Sequence, residues 1–158
     1  MKKLVAGVLA GATLAGQAQA ACWTPKQVAA AQIRDLDAML MVAALRCRSS
    51  NPEVIARYNG FVQADRAALQ QVNTTLKGHF AAQVGAKASL DAFDGYVTKV
   101  ANKYGAGAER LTCSDMGSII NAAAAEAPTF AGLAAVAERA QVQPLLDDAR
   151  CLVETAAK

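Results

Sequence analysis

Four cysteines, Cys22, Cys47, Cys113 and Cys151, stand in a 158-residue chain behind an N-terminal stretch that reads as an export signal. Together these features restrict the fold more than anything else in the sequence. The stretch starts with Lys2 and Lys3, runs apolar from Leu4 to Leu14 and closes on Ala18-Gln19-Ala20, placing small residues before a cut at Ala21. Residues 1–20 are read as a signal peptide and residues 21–158 as a helical bundle domain, with the mature chain periplasmic or secreted. An oxidising space and an even number of thiols imply disulfides. No Cys-x-x-Cys occurs, so neither a zinc knuckle nor a thioredoxin-type pair is written here, and no Cys-x-x-Cys-His marks covalent haem. A lipid anchor on Cys22 would need an aliphatic residue three positions earlier, where Gln19 stands.

Removing residues 1–20 from the 158 leaves 138, enough for one core. Lys2 and Lys3 leave with the signal, so 14 basic residues face 13 acidic ones, a balance that excludes the basic stripe of a nucleic-acid binder. No membrane span is expected, because the apolar stretch Ala38 to Leu45 is short and flanked by Asp37 and Arg46. Abundant alanine, 5% aromatics and scattered β-branched residues argue for an all-α chain.

The first helix carries a full set of start signals. Thr24 caps, Pro25 takes the first helical position, Gln27 completes a capping box, and Trp23 with Val28 forms a hydrophobic staple. Apolar residues wrap most of the circumference from Met39 to Leu45, which makes this helix central. Asn51-Pro52 starts a second long helix, with a stripe from Val54 through Phe61 and Leu69 to Phe80. A third runs from Ala86 to Tyr104 and ends at Gly105 and Gly107. Three shorter helices follow, capped by Ser114, capped by Thr129 and opened by Pro144, the last carrying Leu145, Leu146, Ala149, Leu152 and Val153. The expectation is a single-domain, disulfide-linked helical bundle of three longer and three shorter helices.

Geometry selects among the three ways of pairing four cysteines. Cys22 and Cys47 flank the first helix and stand roughly 37 Å apart at a helical rise, far beyond the about 4 to 7 Å between bridged α-carbons. With long helices running up, down and up, Cys47 meets Cys113 at one end and Cys22 meets Cys151 at the other. The same antiparallel register sets Asp65, an acid on the apolar stripe between Phe61 and Leu69, level with Arg34, so the two are expected to form a buried pair.

Chemistry-bearing residues are sparse. His79, the one histidine, reads as a solvated residue or a cation at a helix C-terminus. The acid pairs Asp91 with Asp94 and Asp35 with Asp37, beside Arg34, read as solvated helix faces rather than an acid–base couple. Gly105-Ala106-Gly107-Ala108 lacks the third glycine, where Arg110 stands, and lacks the preceding strand of a dinucleotide-binding turn. Asn73-Thr74-Thr75 has the form of a glycosylation acceptor but falls within a helix. No catalytic residue, cofactor or metal is assigned. The loop from Gly105 to Thr112, with the cations Arg46, Arg48 and Arg110, is the candidate contact surface.

The segments Ala21-Cys22-Trp23, Arg34-Asp35-Leu36-Asp37 and Met39 to Arg48 resemble small exported four-cysteine proteins of sphingomonad-type alphaproteobacteria. The likeness continues through Tyr58-Asn59-Gly60-Phe61-Val62, Leu76-Lys77-Gly78-His79-Phe80 and Tyr96-Val97. Some members carry the label S-adenosylhomocysteine hydrolase, which these residues do not support: such an enzyme needs a complete dinucleotide fingerprint on a far longer α/β chain. The sequence therefore implies an exported, non-enzymatic binding or interaction module whose partner is an envelope protein or a small ligand. The alternatives are a structural or stress protein of the envelope with holdase character and, less favoured, an enzyme, for which the sequence assembles no pocket of convergent polar groups.

Overall fold

In a computed structural model, residues 22–108, 111–147 and 150–151 are described, and the stretch read above as a signal peptide lies outside them. The described chain is all-helical, with α1 at Pro25–Cys47, α2 at Glu53–Ala64, α3 at Arg66–Val84, α4 at Ser89–Lys103, α5 at Cys113–Ala125 and α6 at Phe130–Arg139. Helix α1 touches each of the other five, so the bundle is organised around it. Its N-terminus is built as the residues dictate: Thr24 Oγ1 accepts from Gln27 N and Gln27 Oε1 accepts from Thr24 N, with Pro25 inside the first turn. One apolar core runs from Trp23 through Leu36, Leu40 and Phe61 to Leu76, Ile120 and Leu133, all essentially without solvent contact.

Disulfides close both ends of the bundle. Cys22 is bonded to Cys151 with α-carbons 4.9 Å apart, and Cys47 to Cys113 with α-carbons 5.7 Å apart. At the first end Trp23 also pairs its backbone with Arg150, and Cys151 N donates to Trp23 O at 2.9 Å.

Four features depart from the sequence expectations. The second long helix is two helices, bent at Asp65 (φ −93°, ψ 12°), although Asp65 N still donates to Phe61 O and Leu69 N to Asp65 O. The kink lets α2 lie against α5 while α3 lies against α1 and α4. Helix α5 is capped by Thr112 and not Ser114, because Asp115 supplies the reciprocal half of a capping box.

The helix expected from Pro144 does not start there. Residues 142–147 form an irregular strap, and Ala149, Leu152 and Val153 lie outside the described residues. Polar side chains hold the strap: Gln32 Nε2 donates to Val142 O, Lys103 Nζ to Gln143 O, and Leu145 N to Asp35 Oδ2. The six helices therefore include three longer ones and three shorter, but not the same six that periodicity suggests. Finally, the Asp65–Arg34 pair is absent. Arg34 Nη1 binds Asp37 at 2.8 Å, one turn along its own helix, and Asp65 is buried without it.

Helix α6 ends without a glycine. Gln141 takes the left-handed conformation at φ 53°, Gln141 N donates to Glu138 O, and Val142 N reaches back to Ala137 O, a Schellman closure with its apolar residue buried behind it.

Candidate functional site

Where the C-terminal half of α1 meets the loop after α4, two cavities of about 470 and 440 Å³ adjoin. They share Gly107, Ala108 and Leu111 and so lie side by side along that loop, together termed the trough. Met39 and Ala43 of α1 and Met116 of α5 supply apolar walls, Lys103 and Tyr104 line one end together with Gln141, Val142 and Gln143, and Arg46, Thr112 and the Cys47–Cys113 bridge line the other. The loop lies over Arg46, whose Nη1 donates to Gly105 O at 2.8 Å. Gly107 adopts φ +102°, a conformation that glycine takes without strain, and this turn carries the loop over the Arg46 guanidinium.

Beneath the strap end of the trough lies a buried polar network. Asp35, with no solvent exposure, accepts from Lys103 Nζ at 2.9 Å, from Leu145 N at 3.0 Å and from the Tyr104 hydroxyl. Two residues along, on the other side of α1, Asp37 accepts from Arg34 Nη1 and, at 2.9 Å, from the Tyr58 hydroxyl. Burial raises the pKa of the Asp37 carboxyl, against the opposing pull of Arg34 and Tyr58. Burial, reinforced by the neighbouring carboxylates, also raises the tyrosines well above their ordinary value: Tyr58 beside Asp37, Tyr104 bonded to Asp35, and Tyr96 in the field of Asp35 and Asp147. All three phenols stay protonated. Asp35 spends its oxygens on three donors and is closed to solvent, so its chemistry is to fasten the strap and the end of α4 to α1.

The acid pair Asp35 and Asp37 thus corrects the sequence reading of a solvated face. Two acids two residues apart, and so on opposite sides of a helix whose apolar residues wrap most of its circumference, are a signal of burial that could be matched to Tyr58, Lys103 and Tyr104. His79 is a second correction, being 1% exposed with its ring stacked 3.7 Å from that of Trp23, in a cluster with Phe80 and Tyr96. Of the candidate contact cations, Arg46 lines the trough, Arg48 is exposed at the C-cap of α1 outside the trough lining, and Arg110 lies outside the described residues. The third cavity, about 230 Å³, is an apolar dimple between α5 and α6 lined by Ile119, Ala122 and Val136. Among the described residues no three His, Cys, Asp or Glu side chains converge as metal ligands. No family model, no curated protein and no solved structure matches the chain.

Proposed function

We propose that the protein is an exported helical binding module of the periplasm or the extracellular space, a non-enzymatic member of the four-cysteine group it resembles. The trough carries this reading: its two cavities measure about 470 and 440 Å³, and its described lining includes side chains of α1, α4 and α5. A disulfide holds one end and the Asp35 network the other, so little ordering remains to oppose association. Two disulfides are compatible with an oxidising compartment, and no described helix is long and apolar enough to cross a membrane.

Native mass spectrometry of the full chain expressed with its own N-terminus tests the reading, using protein recovered from the periplasmic and medium fractions without reduction. The expected species starts at Ala21, carries two disulfides and retains a small molecule or protein at fixed stoichiometry. Recovery only from the cytoplasm with free thiols would overturn export. A turnover abolished by one polar substitution would overturn the non-enzymatic reading.

A further inference from the structure

We propose that the joint between α2 and α3 is a proton-operated hinge, closed while the Asp65 carboxyl is neutral and opening when that carboxyl ionises and turns to cap α3. The hinge goes beyond the binding reading and does not depend on it, because no residue of α2 or α3 is among the described lining of the trough.

Asp65 stands at the N-cap position of α3 and does not cap it. Thr24, Thr112 and Thr129, which cap α1, α5 and α6, are extended, with ψ of 159°, 168° and 160°, and each side chain accepts a backbone N–H. Aspartate is as good a capping residue as threonine, yet Asp65 has ψ 12° and its side chain bonds no backbone group of α3. The helical ladder breaks at the same place. Asp65 N donates to Phe61 O and Leu69 N to Asp65 O, but among the described residues no backbone bond joins Val62, Gln63 or Ala64 to the N–H groups of Arg66, Ala67 and Ala68. Those three groups are the positive end of α3, and they follow directly on a carboxyl that could accept from them.

The carboxyl is turned inward instead, where Asp65 is 2% exposed and its buried Oδ1 has no partner. The charged groups of the helices packed on α2 and α3 are engaged elsewhere. Arg34, Arg57, Lys99, Lys103 and Arg139 each pair with another acid, Asp115 is bonded to Thr112, and Asp91, Asp94 and Glu138 are exposed. On its own helix Arg66 is exposed and His79 stands at the far end against Trp23. A neutral carboxyl tolerates this position, whereas a carboxylate there gives up its hydration with nothing in exchange. Turned onto the N–H of Ala67 or Ala68 the carboxylate gains charge-assisted bonds and the favourable end of the helix dipole. That geometry requires an extended residue 65, so Asp65 N leaves Phe61 O and the last turn of α2, with the buried Phe61, swings from the core. The start of α2 does not follow, because Ser50 N and Asn51 N are bonded to Cys47 O beside the Cys47–Cys113 bridge. Burial raises the closed-state pKa of Asp65, so the closed joint holds the proton more tightly; opening grows as pH climbs from the ordinary carboxylate value and levels off above the raised one.

Amide hydrogen exchange and NMR shifts of the oxidised protein, followed from about pH 4.5 to about pH 8, test the hinge, each exchange rate being divided by its intrinsic value at that pH. Protection of Asp65 N is expected to fall as pH rises, by up to about tenfold per pH unit, in step with the Asp65 carboxyl carbon-13 signal. Leu69 N is expected to keep its protection, because the carbonyl of a capping residue still accepts the first bond of its helix. The amide proton of Ala67 or Ala68 should move downfield over the same range as it takes up the carboxylate. In Asp65→Asn, which stays neutral, protection at residue 65 should be high and independent of pH. A flat or rising profile at Asp65 N would overturn the proposal, as would a pH profile unchanged in Asp65→Asn. Parallel loss at Asp65, Leu69 and Leu40 in the middle of α1 would also overturn it, because the whole bundle and not the joint would then be opening. Should the variant not fold, the wild-type titration decides alone: exchange at Asp65 N that changes out of step with its own carboxyl signal removes the hinge.

Discussion

Asp65 sits at the bend between α2 and α3 with 2% of its surface exposed, and its Oδ1 accepts no hydrogen bond. Desolvation raises its pKa above the ordinary carboxylate value, so the folded chain holds this proton more tightly than the unfolded one. The sign follows: the contribution of Asp65 to stability falls as pH rises through the folded pKa and is recovered as pH falls back towards the unfolded value. Asp65→Asn, which removes the buried charge and keeps the shape, is expected to stabilise the protein at pH 7 by about 1 kcal/mol, with the gain shrinking in mildly acid buffer. Urea melts at the two pH values decide it, and an unchanged or lower midpoint at pH 7 would count against a desolvated carboxylate. The sequence shows the burial of Asp65, because an acid interrupts an apolar stripe. It does not show the missing partner, because Arg34 has a nearer carboxylate at Asp37 on its own helix. Gln141 is a second residue whose cost is local. Its left-handed φ of 53° suits glycine, so Gln141→Gly is expected to raise stability by about 0.5–1 kcal/mol in thermal melts.

Elements were legible where their ends carry chemistry. The capping box of α1 and the Thr129 cap of α6, whose Oγ1 accepts from Gly132 N, are local devices that a few residues specify completely. The bend at Asp65 was not legible, since the three- and four-residue apolar steps continue through it and no glycine or proline marks the place. Tertiary packing of α2 on α5 supplies the reason, and that lies far away in sequence. The strap was misread for a similar reason. Pro144 is a good first residue for a helix, but the donors and acceptors of residues 142–145 are taken by Gln32, Asp35 and Lys103. Asp35→Ala leaves Tyr104 and Leu145 N without their acceptor and Lys103 without its counter-charge, and is expected to cost about 3–5 kcal/mol, with faster amide exchange at Leu145. Tyr104→Phe removes one donor and should cost about 1–2 kcal/mol. Equal losses in the two variants would mean that Asp35 does not fasten the strap. Gly132 tests the α6 entrance independently. A Cβ there would stand 2.2 Å from Ala127 O, a backbone atom, so Gly132→Ala is expected to cost about 1–3 kcal/mol in the same melts despite the higher helix propensity of alanine.

On the scale of the whole molecule the two disulfides close comparable loops, with sequence separations of 129 and 66. The chain-entropy model assigns each about 4–5 kcal/mol, so removing either should cost similar stability. Their pairing was legible because a single helix of 23 residues fixes how far apart Cys22 and Cys47 must be, whereas the trough draws side chains from several elements, of which the sequence marked only the loop from Gly105 to Thr112 and Arg46. What the two bonds do beyond stability should differ, because they sit at opposite ends. Cys47 and Cys113 both line the trough below the loop that holds Arg46, while Cys22 adjoins Trp23, the only tryptophan, packed on His79, Phe80 and Tyr96. Replacing Cys22 and Cys151 together by alanine is expected to shift the Trp23 emission to longer wavelength and leave amide exchange at Gly107, whose N donates to Tyr104 O at 2.8 Å, unchanged. Replacing Cys47 and Cys113 together should leave the emission maximum in place and speed exchange at Gly107, because the trough loses one of its walls. Emission spectra and hydrogen exchange on the two variants, at a temperature where both are folded, read the two ends separately. A shift of both signals in both variants would show that the ends are coupled through α1 and that the trough is not an independently held site.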